Sequence, residues 1–433
     1  MTNRRSFVTR MMRAGVVLPA FRTDTLSTIF RADEIVAHKS ATRAATDEDY
    51  WAQIQRAFDD DRTTVNLNNG GVSPTPTHVL ESMFRDLKWS NQVPVWNMWQ
   101  DLEPRVETVR RDLAKMFGCD PEEMAITRNA SEANETMILG LDLKRGDEVI
   151  VTNQNYGRML TTWDQRARRE GIVVKSISFK VPPPSDDYIV DQFRAAITPR
   201  TRAIELTHIT NLTGQILPIR KVVQLGREKG IDVLVDGAHA FAHFPFTRDD
   251  LDADYYGTSL HKWLFAPIGT GFLYVRRDKI AKLWPLMAGS REQEANIRKY
   301  EEIGTHPAAN HNAISLAVAF NRGIGLERKA ARLRFLRDRW AKRLLADGGG
   351  RFNILTPLDD RQSCAICLVN IEGVDTPKLQ QWLWNKHKVM TVAIVHAEFH
   401  GLRVTPSVYT TVDEVDLFGD LMLKAARLGI AAN

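Results

Sequence analysis

Apolar positions fall at helical spacing at the start of the body, with Tyr50, Trp51, Ile54 and Phe58 on one face. The pattern then breaks into Asn66-Leu-Asn-Asn-Gly-Gly-Val-Ser-Pro-Thr-Pro76, a run with too many breakers for the interior of an element. Beyond it, helical stretches alternate with short β-branched runs at 148–152, 172–178, 201–207, 231–235 and 270–275. Strand, helix, strand at this spacing predicts an α/β fold, a large domain whose mostly parallel sheet is flanked by helices. Ligands of such sheets bind beyond the carboxyl ends of the strands, so candidate chemistry is sought just after each run. Past about Gly304 the register changes to a long basic helical region over 313–345 and then to strands such as 364–370, which predicts a smaller C-terminal α+β domain. The expected organisation is an N-terminal helix and loop over 46–75, the large domain over 76–309 and the small domain over 310–433, with 1–45 set apart.

The 433 residues, 43% hydrophobic and 26% charged, are globular in composition and enough for about two or three domains. The longest apolar runs reach a handful of residues where a membrane-spanning helix needs about 20, so no integral membrane association is expected. Three cysteines exclude a disulfide scaffold, and no pair of CxxC units is present to build a zinc site; no metal is expected. The net charge of +5 lies entirely in residues 1–45, leaving the rest balanced, so it gives no reason to expect nucleic-acid binding by the body. In that segment Arg4-Arg-Ser-Phe-Val8 precedes a short apolar stretch, Ala14–Phe21, and resembles a twin-arginine export leader. A periplasmic protein is expected on that reading; a basic disordered tail on a cytoplasmic protein is the alternative.

The most informative segments are Val235-Asp-Gly-Ala-His239 and Thr258-Ser-Leu-His-Lys-Trp263. Singly, an Asp at a strand end is often a helix cap and a lone Lys is usually solvated surface. Together, an acid followed 26 residues later by a lysine behind Ser-x-His resembles the class V aminotransferase superfamily of fold type I pyridoxal-phosphate enzymes. The resemblance runs over roughly residues 60–425 and is closest to the isopenicillin N epimerase-like branch. It implies pyridoxal 5'-phosphate as cofactor, with Lys262 forming a Schiff base to its aldehyde and Asp236 keeping its pyridine nitrogen protonated.

Further matches extend the resemblance. Ala125–Glu135 reads as strand, turn and helix, whose first N–H groups make an anion site; the family places the cofactor phosphate there, against Ala130 and Ser131, joined by Ser259 and His261. Ser131 also reads as a plain N-cap. Tyr156, after another strand, matches the family's ring stacked on the pyridine. Asn211 matches the position that bonds the phenolic oxygen together with His239, and an Asn before Gly214 is also ordinary turn chemistry. Thr305, in Gly304-Thr-His306, matches a residue that reaches a neighbouring subunit's phosphate, which implies a homodimer with shared active sites. Arg403, in Gly401-Leu-Arg-Val-Thr-Pro-Ser-Val-Tyr409, matches the arginine that clamps the substrate carboxylate in bidentate fashion. Asn68 and Asn69 match a segment folding over the substrate. Trp96 and Trp99, aromatics at i and i+3, read more readily as core than as pocket wall. Cys364 and Cys367, an odd number apart in an expected strand, read as core residues facing opposite ways.

These roles imply an enzyme that labilises the Cα–H bond of a small-molecule amino acid or peptide substrate. Amino-group transfer is placed first, with epimerisation and β-elimination as alternatives and a catalytically silent binding protein as the non-enzyme reading. A cysteine desulfurase needs a nucleophilic cysteine on a mobile loop shortly before the Arg403 region, and residues 371–433 contain none.

Overall fold

A computed structural model describes residues 35, 36 and 38–430, so the predicted twin-arginine leader lies outside the described residues. The strands, in chain order, are β1 (Val65–Asn66), β2 (Met124–Thr127), β3 (Glu148–Thr152), β4 (Val173–Ile177), β5 (Thr201–Thr207), β6 (Asp232–Asp236), β7 (Tyr255–Ser259), β8 (Gly271–Val275), β9 (Phe352–Ile354), β10 (Cys367–Ile371), β11 (Val389–Met390), β12 (Val392–Val395) and β13 (His400–Val404).

Seven strands form one sheet in the order β2-β8-β7-β6-β5-β3-β4. Every neighbouring pair from β7 to β4 is parallel, and β8 runs antiparallel to both β7 and β2. Strands buried on both faces read as continuous apolar runs. Alternation then sends Ile126, Ile150, Ile204, Leu206, Val233 and Val235 into one core and Val149, Val151, Ala203, Leu234 and Leu273 into another on the opposite face. Each such side chain contributes about 1.5–3 kcal/mol on full burial. β7, with the sequence Tyr-Tyr-Gly-Thr-Ser, carries no aliphatic run and escapes the β-branched pattern, yet it delivers Ser259 to the sheet edge.

The second sheet, β12-β13-β10-β9, is antiparallel and packs on Leu336, Trp340, Leu344, Phe418 and Met422. The helical region over 313–345 is two helices, Ile314–Ile324 and Leu326–Asp347, separated at Gly325, whose φ of 84° favours glycine. The second helix starts in the large core with Ala330 and Leu333 and ends in the small one. The boundary expected at 310 is corrected accordingly: residues 313–333 pack with the large domain.

The boundary at 45 also moves. Ser40 caps a helix over Ala41–Ala45, whose Ala44 and Ala45 are buried, and the Ala44 carbonyl accepts from Trp51 Nε1 at 2.7 Å. β1 pairs in parallel with β11, and Thr405 N donates to Leu67 O at 2.8 Å, so the segment over 65–70 is stitched to the small domain. Cys364 precedes β10 rather than lying in it, and both it and Cys367 are buried. Among the described residues no helix is long and apolar enough to cross a membrane.

Candidate active site

β2, β3, β5, β6 and β7 end at one edge of the large sheet, and the loops beyond them enclose a cavity of about 340 Å³. Ala130, Ser131, Ser259 and His261 line one end of it, and Tyr156, Asn211, Asp236, His239 and Lys262 line the rest. Nine of the thirteen residues singled out in the sequence therefore meet in one place, brought together by strands that end side by side.

At the base, Asp236 closes β6 and is buried. Burial raises its pKa, and the Ala238 N–H at 2.9 Å, the Asn134 side chain and the charge of Lys262 oppose that shift in part. Lys262 is pulled the other way, down to about 8, chiefly by burial, with Asp236 opposing. Its Nζ lies 3.1 Å from His239 Nε2. Burial, then the Lys262 charge, pushes the His239 imidazole well below its ordinary value, so it is neutral beside the amine, and its Nδ1 is buried without a partner. The expected role of His239 toward the cofactor's phenolic oxygen is thus joined by a direct contact with the lysine.

The chain around Lys262 is fixed from behind. His243 Nδ1 donates to His239 O at 2.8 Å, its Nε2 accepts from Ala365 N at 3.0 Å, and its ring stacks on Trp263 at 3.6 Å and 4°. The buried Lys329 donates to Trp263 O and, at 2.7 Å, to Asn321 Oδ1, while Asn321 Nδ2 donates to Leu264 O at 2.8 Å. Sequence inspection left His243 unassigned and passed over Lys329 and Asn321, because each acts through backbone carbonyls that no motif encodes.

At the anion end, Asn129 rather than Ser131 caps the helix over Ala130–Gly140, its Oδ1 accepting from Glu132 N at 2.9 Å. Ala130 N donates to Ser259 Oγ at 2.9 Å, joining the β2 and β7 loops. A Cβ at Gly271 would meet Asn129 Cα at 2.8 Å, so glycine is needed where β8 passes this turn. His261 donates through Nδ1 to Thr270 O at 3.2 Å, and burial takes its pKa down to about 4.

The remaining four residues divide. Arg403 lies on β13 next to the cavity: its Nη1 donates to Asn211 O at 2.9 Å and its Nη2 to Asn68 Oδ1 at 3.0 Å. Its Nε is buried without a partner, and burial lowers the guanidinium to about 10. A buried cation held by neutral acceptors keeps donor capacity for an anion. Asn69 does not face the cavity: it is fully buried, donating to Asn66 O and Thr405 O and accepting from Tyr409 OH. It fixes the loop, and Gly71 lines the cavity instead. Thr305 lies in a separate groove with Trp99, Arg110 and Glu301. Trp96 and Trp99, read as core, are 65% and 45% exposed.

A parallel-rich sheet whose strand ends gather a buried lysine, a carboxylate and a helix N-terminus, with an arginine from a second domain alongside, defines a fold type I pyridoxal-phosphate enzyme. The chain matches the aminotransferase class-V family model over residues 65–418 and belongs to that family. It is 28% identical over 389 residues to an isopenicillin N epimerase of Streptomyces clavuligerus, covering 86% of this chain and 97% of the relative. The fold is shared with the cysteine desulfurase CsdA of Escherichia coli, at a TM-score of 0.75, 22% identity and 87% and 98% coverage of the two chains. It is shared as well with a C-DES mutant carrying glycine linked to its cofactor, at 0.74, 20% and 84% and 97%. Pyridoxal 5'-phosphate is the cofactor of the class, and the residues present fit it. The unpartnered Asn211 Oδ1, Thr207 Oγ1 and His239 Nδ1 are buried polar atoms on cavity-lining residues, between a helix N-terminus at one end and the Asp236–Lys262 pair at the other.

Proposed function

We propose that this protein moves a proton at Cα of an amino acid, free or peptide-borne, in the course of amino-group transfer. The single observation that carries the reading is the 3.1 Å contact between a lysine lowered to about 8 and a neutral histidine, above a buried carboxylate. When bound, pyridoxal phosphate supplies an electron-accepting ring that stabilises negative charge at Cα. Asp236 would face the ring nitrogen, and the helix over Ala130–Gly140, with Ser259, would hold the phosphate. Arg403 would bind the substrate carboxylate through the donors its neighbours leave free, and Tyr156, exposed at the cavity wall, would cover the ring. Lys262 would then accept the Cα proton as an amine whose lowered pKa of about 8 leaves roughly a tenth of it unprotonated at pH 7, far more than an ordinary lysine.

Epimerisation is the second reading, favoured by likeness along nearly the whole length of an isopenicillin N epimerase. It requires a proton donor on the face opposite Lys262, and Tyr156 is the residue for that role. Desulfuration is disfavoured by the cysteines: Cys364 and Cys367 are fully buried, and burial pushes the Cys367 thiol up to about 12. A homodimer is part of the proposal, because Ile268 at the cavity rim and Trp284 are 70% and 69% exposed and the Thr305 groove lies apart from this chain's own cavity. Periplasmic location through the N-terminal arginine pair belongs to the same proposal.

Borohydride reduction of the holoprotein should leave a cofactor adduct on Lys262 by mass spectrometry. Lys262→Ala should abolish both adduct and turnover, a loss of at least about 10²–10⁴-fold from proton transfer alone. In deuterated water, keto acid supports amino-group transfer, and deuterium at Cα with inversion supports epimerisation. Absence of the adduct sinks both readings and favours a silent binding protein.

A further inference from the structure

A second buried carboxyl lies beneath the site. Glu205 is on β5, 1% exposed. β5 and β6 are parallel, with Thr207 opposite Asp236 and Glu205 opposite Leu234. Side chains two apart on a strand share a face, so Glu205 lies on the same face as Thr207 and Asp236, one step deeper below the cavity. Diagonal neighbours on adjacent strands are about 7–8 Å apart, within reach of a long side chain.

The two acids are served differently. Asp236 receives the Ala238 N–H and the Asn134 amide and lies near the Lys262 charge. Glu205 Oε2 accepts from Trp163 Nε1 at 2.7 Å, and its only other donor among the described residues is the Asn155 amide, so both donors to this carboxyl are neutral. Burial, then the charge of Asp236, pushes Glu205 up to about 8. Two close carboxylates in a low-dielectric interior do not both ionise, and the better-solvated one keeps the charge. Trp163 belongs to the helix over Gly157–Glu170, which begins immediately after Tyr156. The apolar neighbours on this face are Val149 and Val151 from β3, Leu234 from β6, Tyr255 from β7 and Met137 from the helix over Ala130–Gly140, while the buried Arg166, on the Trp163 helix, is paired with Glu170 and the Ile138 carbonyl, and Lys299 with the Ile280 carbonyl. Asn155, in the loop after β3, donates to the Glu205 backbone carbonyl at 3.1 Å. Among the described residues, the charge acting on Glu205 is that of Asp236.

We propose that Glu205 is a positioning residue for the reaction, a buried carboxylic acid that anchors Trp163 and the Tyr156 helix while leaving Asp236 the sole anion under the cofactor. The inference rests on the reading that Asp236 faces the ring nitrogen. Its sign with pH follows from the raised pKa: the stability Glu205 contributes is fully present below its unfolded value of about 4.5 and is lost as pH rises through about 8.

Glu205→Gln keeps an acceptor for Trp163 and has no proton to lose. The holoenzyme variant should keep kcat and its visible spectrum at pH 7 within about twofold of the parent, since no charge changes there. The melting temperature of the parent apoprotein should fall relative to that of the Gln variant between about pH 5 and 8, where only the unfolded parent has lost the proton, and the two profiles should run parallel above pH 8; Lys262 titrates in both and cancels in the difference. Glu205→Ala should lower kcat at every pH, with Gln restoring it. A Gln variant as impaired as Ala at pH 7, or melting profiles that run parallel from about pH 5 to 8, overturns the inference. If Gln does not fold, the infrared carbonyl stretch of a protonated acid in the parent, present at pH 7 and bleached above pH 8, supports it, and absence of that change overturns it. The apoprotein profile needs no cofactor, so it still reads the Glu205 proton if the Lys262 adduct test fails.

Discussion

The half of the site proposed to hold the cofactor and the half proposed to hold the substrate are built by different means. Asp236, Ser259, Lys262, Ala130 and Tyr156 all lie at or just beyond the ends of strands in one sheet, whose β2, β3, β7 and β8 are buried at every position. Arg403, Asn68 and Asn211 come instead from the small domain, the N-terminal segment and the large domain, and Arg403 bonds to both of the others. One half is as rigid as a sheet core; the other is a three-way junction at a domain boundary. Damage to the first should appear in the chemical step, and damage to the second in binding.

The largest expected separation comes from Asp236→Asn. The variant keeps an acceptor for Ala238 N–H but loses the charge, and kcat should fall about 10²–10³-fold, the scale of a lost electrostatic stabiliser, with KM little changed. Steady-state kinetics with any turned-over amino acid checks it. A rise in KM matching the fall in kcat would mean that Asp236 also shapes the substrate half.

Next is Arg403→Lys. An ammonium cannot bond Asn211 O and Asn68 Oδ1 while also presenting a fork to a carboxylate. Losing one or two charged hydrogen bonds at about 1.5–3 kcal/mol each predicts at least about a tenfold fall in kcat/KM, carried mostly by KM. The visible absorption of bound cofactor should stay as in the parent. Loss of that absorption would show that the junction also holds the cofactor.

The contrast also explains what the sequence disclosed. The residues proposed to hold the cofactor sit at fixed offsets from strands, so the gathering of Asp236, His239, Ser259 and Lys262 round one cavity was legible from periodicity and spacing together with the family pattern. Asn129 was not singled out, although it caps a helix three residues before Glu132, a signature that was present. Glu205 looked like an ordinary strand residue, because nothing in Thr201–Thr207 says that it lies beneath Asp236 until β5 is registered against β6. In the substrate half Arg403 was legible and Asn69 was misread, since which of two adjacent asparagines turns inward depends on bonds to Thr405 and Tyr409, more than 330 residues away. The boundary at 310 failed for a related reason: one helix serves two cores, and a change of composition marks neither.

The smallest effect, and the finest test of separability, is expected at Tyr409. Its buried hydroxyl donates to Asn69 Oδ1 and accepts from Asn66 Nδ2 at 2.9 Å, tying the loop that carries Asn68 to the segment after β13. In Tyr409→Phe, Asn69 Oδ1 keeps Asn66 Nδ2 at 3.3 Å as a donor, so no fully orphaned buried acceptor results. The cost should be that of ordinary hydrogen bonds, about 0.5–1.5 kcal/mol in chemical denaturation. Because Asn68 orients Arg403 rather than the cofactor, KM should rise by less than about threefold, well under 1.4 kcal/mol, while kcat and the cofactor spectrum hold. Should kcat fall with KM in this variant, loosening the junction would be reaching Lys262 through the loop over 69–73, whose Ser73 N donates to His261 O at 3.1 Å. That single backbone bond would then be the place where the two halves are coupled.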